Sequence, residues 1–158
     1  MKFMIVLGTG GHTAQMLRLV NLLGDKHQYE YVIGKDDNFS EKKIKIKGKI
    51  FRIRKTREIK ESIAKSILKQ LPACVEAKRI LKKSKAETVI ACGPNIAVPI
   101  IFMSKLMGRK VIFIESWSRV YSRSLSGRFA YKFADLFFVQ WPEMKKLYPK
   151  AIYAGRFG

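Results

Sequence analysis

KFMIVLGTGGHTAQMLRLVNLL (residues 2–23) passes through three textures in succession. Lys2 to Leu7 is a short apolar run, and Gly8 to Thr13 (GTGGHT) is a glycine-rich break. From Ala14 to Leu23 the apolar residues Met16, Leu17, Val20 and Leu23 recur at helical spacing. The stretch therefore predicts a strand, a tight loop and a helix. Working outward, Tyr29 to Ile33 (YEYVI) and Ile50 to Ile53 (IFRI) predict the next strands, joined by a polar loop or irregular edge hairpin from Gly34 to Lys49.

The same unit returns further along the chain. Thr88 to Cys92 (TVIAC) reads as a strand, Gly93-Pro94-Asn95 as a loop and Ile96 to Met107 as a helix. Lys110 to Ile114 and Leu136 to Val139 predict further buried strands. Between the two units, Ile59, Ile63, Ile67, Leu71, Val75 and Ile80 recur mostly at every fourth position among lysines. This is the pattern of an amphipathic helix from Glu58 to Lys83, which Pro72 is expected to kink or divide. Strands alternating with helices call for an α/β fold of the Rossmann-like, doubly wound kind, with a mostly parallel sheet flanked by helices.

At 158 residues the chain is sized for a single domain, residues 1–158. Its 47% hydrophobic content excludes disorder as a description of the whole, and its net charge of +20 implies an anionic partner. Residues 41–85 hold 17 lysines and arginines against four acidic groups, so +13 of that charge falls on one face or edge. Cys74 and Cys92 lack zinc-site spacing, and nothing at the start resembles a cleavable signal, so a reduced, cytosolic setting is expected. The most apolar window, IAVPIIFMSKLM (residues 96–107), is about half the roughly 20 residues that a bilayer crossing needs.

In a parallel sheet, ligands bind at the carboxyl edge where strand order reverses. Gly8 to Thr13, the stretch from Gly34 to Ser40, Gly93-Pro94-Asn95 and Glu115 to Arg119 all fall on that edge. Gly8, Gly10 and Gly11 let the backbone turn tightly beside Thr9 and present N–H groups at a helix start, suited to an anionic oxygen. The loop is neither a Walker A sequence nor G-x-G-x-x-G, because Thr13 stands where the last glycine would be. His12, in that loop, is a candidate proton acceptor, whereas His27 lies on a surface turn. Glu115 follows a buried strand and is the other candidate base, its plainer role being a helix N-terminal acid or a partner for Arg119. Arg119, Arg123 and Arg128, interspersed with Ser116, Ser118, Ser122, Ser124 and Ser126, offer forked guanidinium and hydroxyl contacts to a diphosphate, although serine-rich segments are commonly plain loops.

Five segments taken in order carry a family resemblance. GTGGHT (8–13), YVIGKDDNFS (31–40), RKTREIKES (54–62), CGPNIAVPI (92–100) and the run from Glu115 to Gly158 resemble the membrane-anchoring subunit of the two-part N-acetylglucosaminyltransferase of asparagine-linked glycosylation. The glycine-histidine loop alone is shared with many GT-B glycosyltransferases, including the peptidoglycan N-acetylglucosaminyltransferase. The run from Glu115 through Ser126-Gly127 and Ala134-Asp135 to Val139-Gln140-Trp141-Pro142 is more specific. Bacterial exopolysaccharide enzymes divided into two chains carry the same pattern.

That resemblance implies one half of a GT-B fold: an acceptor-binding subunit forming a heterodimer with a donor-binding chain. It implies inverting transfer, without metal or cofactor, of a sugar from UDP-N-acetylglucosamine held by the partner to a lipid-diphosphate-linked sugar. Gly10, Gly11 and the Ala14 helix start, with Arg119 and Ser126, would hold the diphosphate. Gly8, Thr9, Thr13, Gly93, Pro94, Asn95 and Ser116 would complete the substrate site, and His12 or Glu115 would be the base. The lysine-rich edge and the helix at 96–107 would rest on an anionic membrane, giving a peripheral protein of the cytosolic face.

Two departures bear on the acceptor. Arg54-Lys55 stands where the family has Pro-Arg, and Asn95 replaces a glycine expected after Gly93-Pro94. The first strand begins at Lys2, where eukaryotic members carry an apolar anchor. Three rivals remain open: a stand-alone nucleotide-sugar enzyme, a nucleic-acid-binding module and a non-catalytic membrane scaffold. No nucleic-acid partner is expected, since the aromatic residues fall in core strands and no recognition motif is present.

Overall fold

The inner strands of this protein are apolar on both sides, the mark of a parallel sheet covered on each face. The computed structural model describes residues 1–55 and 63–156. It arranges β1 (Lys2–Val6), β2 (Gln28–Gly34), β3 (Lys49–Ile53), β4 (Thr88–Ala91), β5 (Lys110–Ile114), β6 (Leu136–Val139) and β7 (Ile152–Tyr153) in one sheet, ordered β3-β2-β1-β4-β5-β6-β7. Every neighbouring pair is parallel. Strand order reverses between β1 and β4, so their carboxyl ends diverge into a crevice. The expected Rossmann-like α/β architecture is observed.

Alternation along β1 sorts the core. Phe3, Ile5 and Leu7 pack on one face with Met16, Leu17 and Val20 of α1 (Gly11–Leu23), whereas Met4 and Val6 join the opposite face. That second face is covered by α2 (Ile63–Lys83), α3 (Ala97–Leu106) and α4 (Leu125–Ala130). One expectation changes here: no division falls at Pro72. Helix α2 runs unbroken through Pro72, with Ala73, Ala77, Ile80 and Leu81 buried along it. Its expected start at Glu58, together with Ile59 and residues 56–62 of the RKTREIKES segment, lies outside the described residues.

Helix α3 does not offer its apolar face to a membrane. Ala97, Ile100 and Ile101 are buried in the core, and Phe102 packs edge-on against Phe133 at 5.9 Å. No helix among the described residues is long and apolar enough to cross a membrane. The stretch from Gly34 to Lys49 is a loop carrying one 3-10 turn at Glu41–Lys43 rather than a hairpin.

Candidate functional site

The glycine loop after β1 leads directly into α1. Gly10 stands before the first helical residue with φ 59°, a left-handed conformation that a side chain would strain, and no side chain caps the helix. The first-turn N–H groups of Gly11, His12 and Thr13 are therefore free of a side-chain cap. Ala14 is different: its N–H donates to the Gly10 carbonyl at 3.2 Å and is already part of the helix. It is not available to an anion, contrary to the expectation that the Ala14 helix start contributes.

The loop is pinned from below. Thr13 donates its hydroxyl to the Gly8 carbonyl and lies 2.9 Å from the Ser40 hydroxyl. Ser40 in turn donates to Asp37 Oδ2 at 2.5 Å, while the N–H groups of Phe39 and Ser40 donate to Asp37 Oδ1 at 3.1 and 2.9 Å. Burial pushes the Asp37 carboxyl up, but these bonds and the Lys55 charge outweigh it and hold the group below the usual carboxylate range.

Above this base opens a cleft of about 1040 Å³. Of the residues singled out from sequence, Gly8, Thr9, His12, Gly93, Pro94, Asn95, Ser116, Arg119 and Ser126 line it. Gly10, Gly11, Thr13 and Glu115 do not. Gly34, Asp37, Lys55, Ser118, Arg123 and Ser124 are further lining residues. The Arg/Ser spacing already pointed to Ser118, Arg123 and Ser124, and the stretch from Gly34 to Ser40 pointed to Gly34 and Asp37; Lys55 belongs to the Arg54-Lys55 pair that stands where the family has Pro-Arg.

His12 lies against the Gly93 loop so closely that a Cβ on Gly93 would collide with its Cε1 and come within 2.8 Å of Nδ1. Gly93 also has φ 71°, so its lack of a side chain is required twice over. Nδ1 is buried without a hydrogen-bond partner. Burial lowers the imidazole pKa below its ordinary 6.5, Glu115 opposes that shift, and the Arg119 charge adds to it. The ring is consequently neutral near pH 7, in the form that accepts a proton.

Glu115 is fully buried under the cleft floor. Its carboxylate accepts from Ser116 N–H at 3.0 Å, Ser124 N–H at 3.3 Å, the Ser124 hydroxyl at 3.1 Å and the Tyr148 phenol at 3.0 Å. Tyr148 is held there by Phe137, 4.6 Å away between ring centroids, and its own pKa is raised by burial and by the Glu115 charge. Ser124 also caps α4, accepting from Gly127 N–H at 2.8 Å, and Ser126 donates to the Gly93 carbonyl at 2.6 Å. One buried carboxylate thereby shapes the whole β5–α4 loop that presents Arg119 and Arg123. The Arg123 guanidinium rests 5.9 Å from the centre of the Tyr148 ring.

A buried amide pair, not foreseen from sequence, ties these parts together. Gln15 Oε1 accepts from Gln140 Nε2 at 2.7 Å, Trp117 N–H at 3.1 Å and the Cys92 thiol at 3.4 Å. Gln15 Nε2 donates to Ser116 at 3.2 Å, and Gln140 Nε2 donates to the Glu115 carbonyl at 3.0 Å. Helix α1 is thus registered against the ends of β4, β5 and β6.

Chemically, the cleft combines two guanidinium groups and several hydroxyls with a neutral imidazole, His12, at an uncapped helix start. Such a set has the chemistry to bind a phosphorylated ligand and to accept a proton beside it.

Residues 3–157 match the family described as oligosaccharide biosynthesis protein Alg14 like. The chain is 35% identical over 175 residues to UDP-N-acetylglucosamine transferase subunit ALG14 of Rattus norvegicus, covering 97% of this chain and 81% of that one. Among solved structures, Acinetobacter baumannii MurG superposes with a TM-score of 0.71 at 20% identity, over 89% of this chain and 41% of that one. A Neisseria meningitidis UDP-GlcNAc 2-epimerase bound to UDP-GlcNAc gives 0.75 at 14% identity, over 99% and 47%. This chain thus spans less than half of each of these solved proteins. Since one is named an epimerase, the shared fold does not select a reaction.

Proposed function

Because the chain belongs to the Alg14-like family of oligosaccharide biosynthesis proteins, we propose that this glycosyltransferase subunit binds the acceptor in a two-chain, inverting transfer. The acceptor is a lipid-diphosphate-linked sugar, the donor is UDP-N-acetylglucosamine, and a second chain holds the donor. The observation that carries the reading is a single cleft lined by His12, Arg119, Arg123 and four serines beside an uncapped helix start.

In this scheme the two arginines, with the uncapped helix start at His12 beside them, hold the acceptor diphosphate. His12 takes the proton of the attacking sugar hydroxyl as its oxygen bonds to the donor's anomeric carbon. The bond from that carbon to UDP breaks, and the nucleotide leaves on the partner's side. Of the two candidate bases, His12 is favoured because it lines the cleft and is held neutral, whereas Glu115 has its oxygens committed to the loop. Glu115 is then a positioning residue.

The test is transfer by the reconstituted pair. His12→Ala is expected to lower kcat by about 10²–10⁴ with little change in the acceptor KM. Arg119→Ala is expected mainly to raise that KM. Undiminished kcat in His12→Ala would remove His12 from the chemistry.

A further inference from the structure

One polar side chain of α1 stands apart from its apolar neighbours. Gln15 is fully buried on the helix that also buries Met16, Leu17 and Val20, where an apolar residue would fill the space without an amide to satisfy. Its amide is committed to one dipeptide of the β5–α4 loop: Gln15 Nε2 donates to the Ser116 hydroxyl at 3.2 Å, and Gln15 Oε1 accepts from the Trp117 N–H at 3.1 Å. Gln140 Nε2 donates to the same Gln15 oxygen at 2.7 Å and to the Glu115 carbonyl at 3.0 Å, which fixes the way the Gln15 amide faces. From the other side, the Trp141 indole N–H donates to the Trp117 carbonyl at 2.6 Å. The turn that leads to Arg119 is built on this clasped pair, since the Arg119 N–H donates to the Ser116 carbonyl at 2.9 Å. Gln15 also stands about one turn along α1 from His12, so a single side chain joins the helix that carries the imidazole to the loop that carries the guanidinium.

We propose that Gln15 is a positioning residue of the acceptor site. It sets the turn from Ser116 to Arg119 against the start of α1, so that the Arg119 guanidinium and the His12 imidazole engage one acceptor at the same time. An amide suits this place because it accepts from a backbone N–H and donates to a hydroxyl, which neither an ionised carboxylate nor a thioether does. This role rests on the acceptor reading above, and Gln15, which does not line the cleft, acts through the turn rather than on the ligand.

Both tryptophans of the chain, Trp117 and Trp141, belong to the clasp, so native-state tryptophan fluorescence reports it independently of activity. The experiment compares wild type with Gln15→Met, which is close in size but lacks the amide. A second variant, Trp141→Phe, removes the bond to the Trp117 carbonyl while keeping an aromatic face for Arg156. With the donor-binding chain present, Gln15→Met is expected to alter the tryptophan emission and to lower acceptor kcat/KM by about 10- to 100-fold. The loss should come through a higher acceptor KM as well as a lower kcat, with the donor KM unchanged, whereas a mere loss of folded protein would lower kcat alone. Trp141→Phe should raise the acceptor KM in the same direction. Leu81→Ala, buried at the end of α2 that leads into β4, is the control for destabilisation and should leave both the emission and the acceptor KM as they are. A wild-type acceptor KM or an unaltered emission in Gln15→Met would overturn the proposal, as would an equal rise of that KM in Leu81→Ala. Where Gln15→Met does not fold, a wild-type acceptor KM in Trp141→Phe would overturn it too. Wild type that transfers nothing to a lipid-diphosphate sugar, with the emission still altered in Gln15→Met, would sink the acceptor reading while leaving Gln15 as the clasp of the turn.

Discussion

At the residue scale, the decisive group is the His12 imidazole, caught between burial, the Arg119 charge and Glu115. Because its pKa is lowered, the neutral form persists as pH falls past 6.5 and is lost only below that. The pH profile of transfer should therefore show an acid limb below 6.5. Arg119→Ala, which removes a charge that lowers the pKa, should move the limb to higher pH; an unmoved limb would separate it from His12. Gly93→Ala is a second test, since its methyl group would drive into the ring at a backbone angle of φ 71°. It should lower kcat and destabilise the fold by about 1–3 kcal/mol, read by urea denaturation. The sequence made His12 visible because a histidine interrupts a glycine loop. The pairing of Gln15 with Gln140 stayed hidden, although Gln140 lies in a quoted family run, because a buried amide's bonds are recognised only through distant partners, here residues more than a hundred positions apart.

At the element scale, β1 to β6 and α1 were legible because each is a compact apolar run or a clear helical period, whereas β7, only two residues long, shows neither. Helix α4 was not: six residues of LSGRFA are too short to display a period, and its cap, Ser124, sits within a serine-rich loop. Pro72 misled for a different reason. Local chemistry favours a break, but burial of Ala73, Ala77, Ile80 and Leu81 maintains α2 through it. The β5–α4 loop depends on Glu115, so Glu115→Ala strands several buried donors and should cost on the order of 3 kcal/mol. Gly127→Ala would push a methyl group into the Glu115 carboxylate and within 2.8 Å of the Ser124 and Tyr148 oxygens. A loss of about 2 kcal/mol or more is expected, measured by thermal unfolding. Wild-type stability in both variants would contradict this account of the loop.

At the scale of the whole molecule, one sheet presents one cationic wall at its carboxyl edge, and the solved structures that share the fold are more than twice as long as the part matched. The most direct measurement is sugar transfer from UDP-N-acetylglucosamine to a lipid-diphosphate sugar by this chain alone, by a donor-binding partner alone, and by the two titrated together. The account predicts turnover only in the mixture, saturating at equimolar chains and abolished by His12→Ala. Turnover by this chain on its own, at the rate of the mixture, would contradict it.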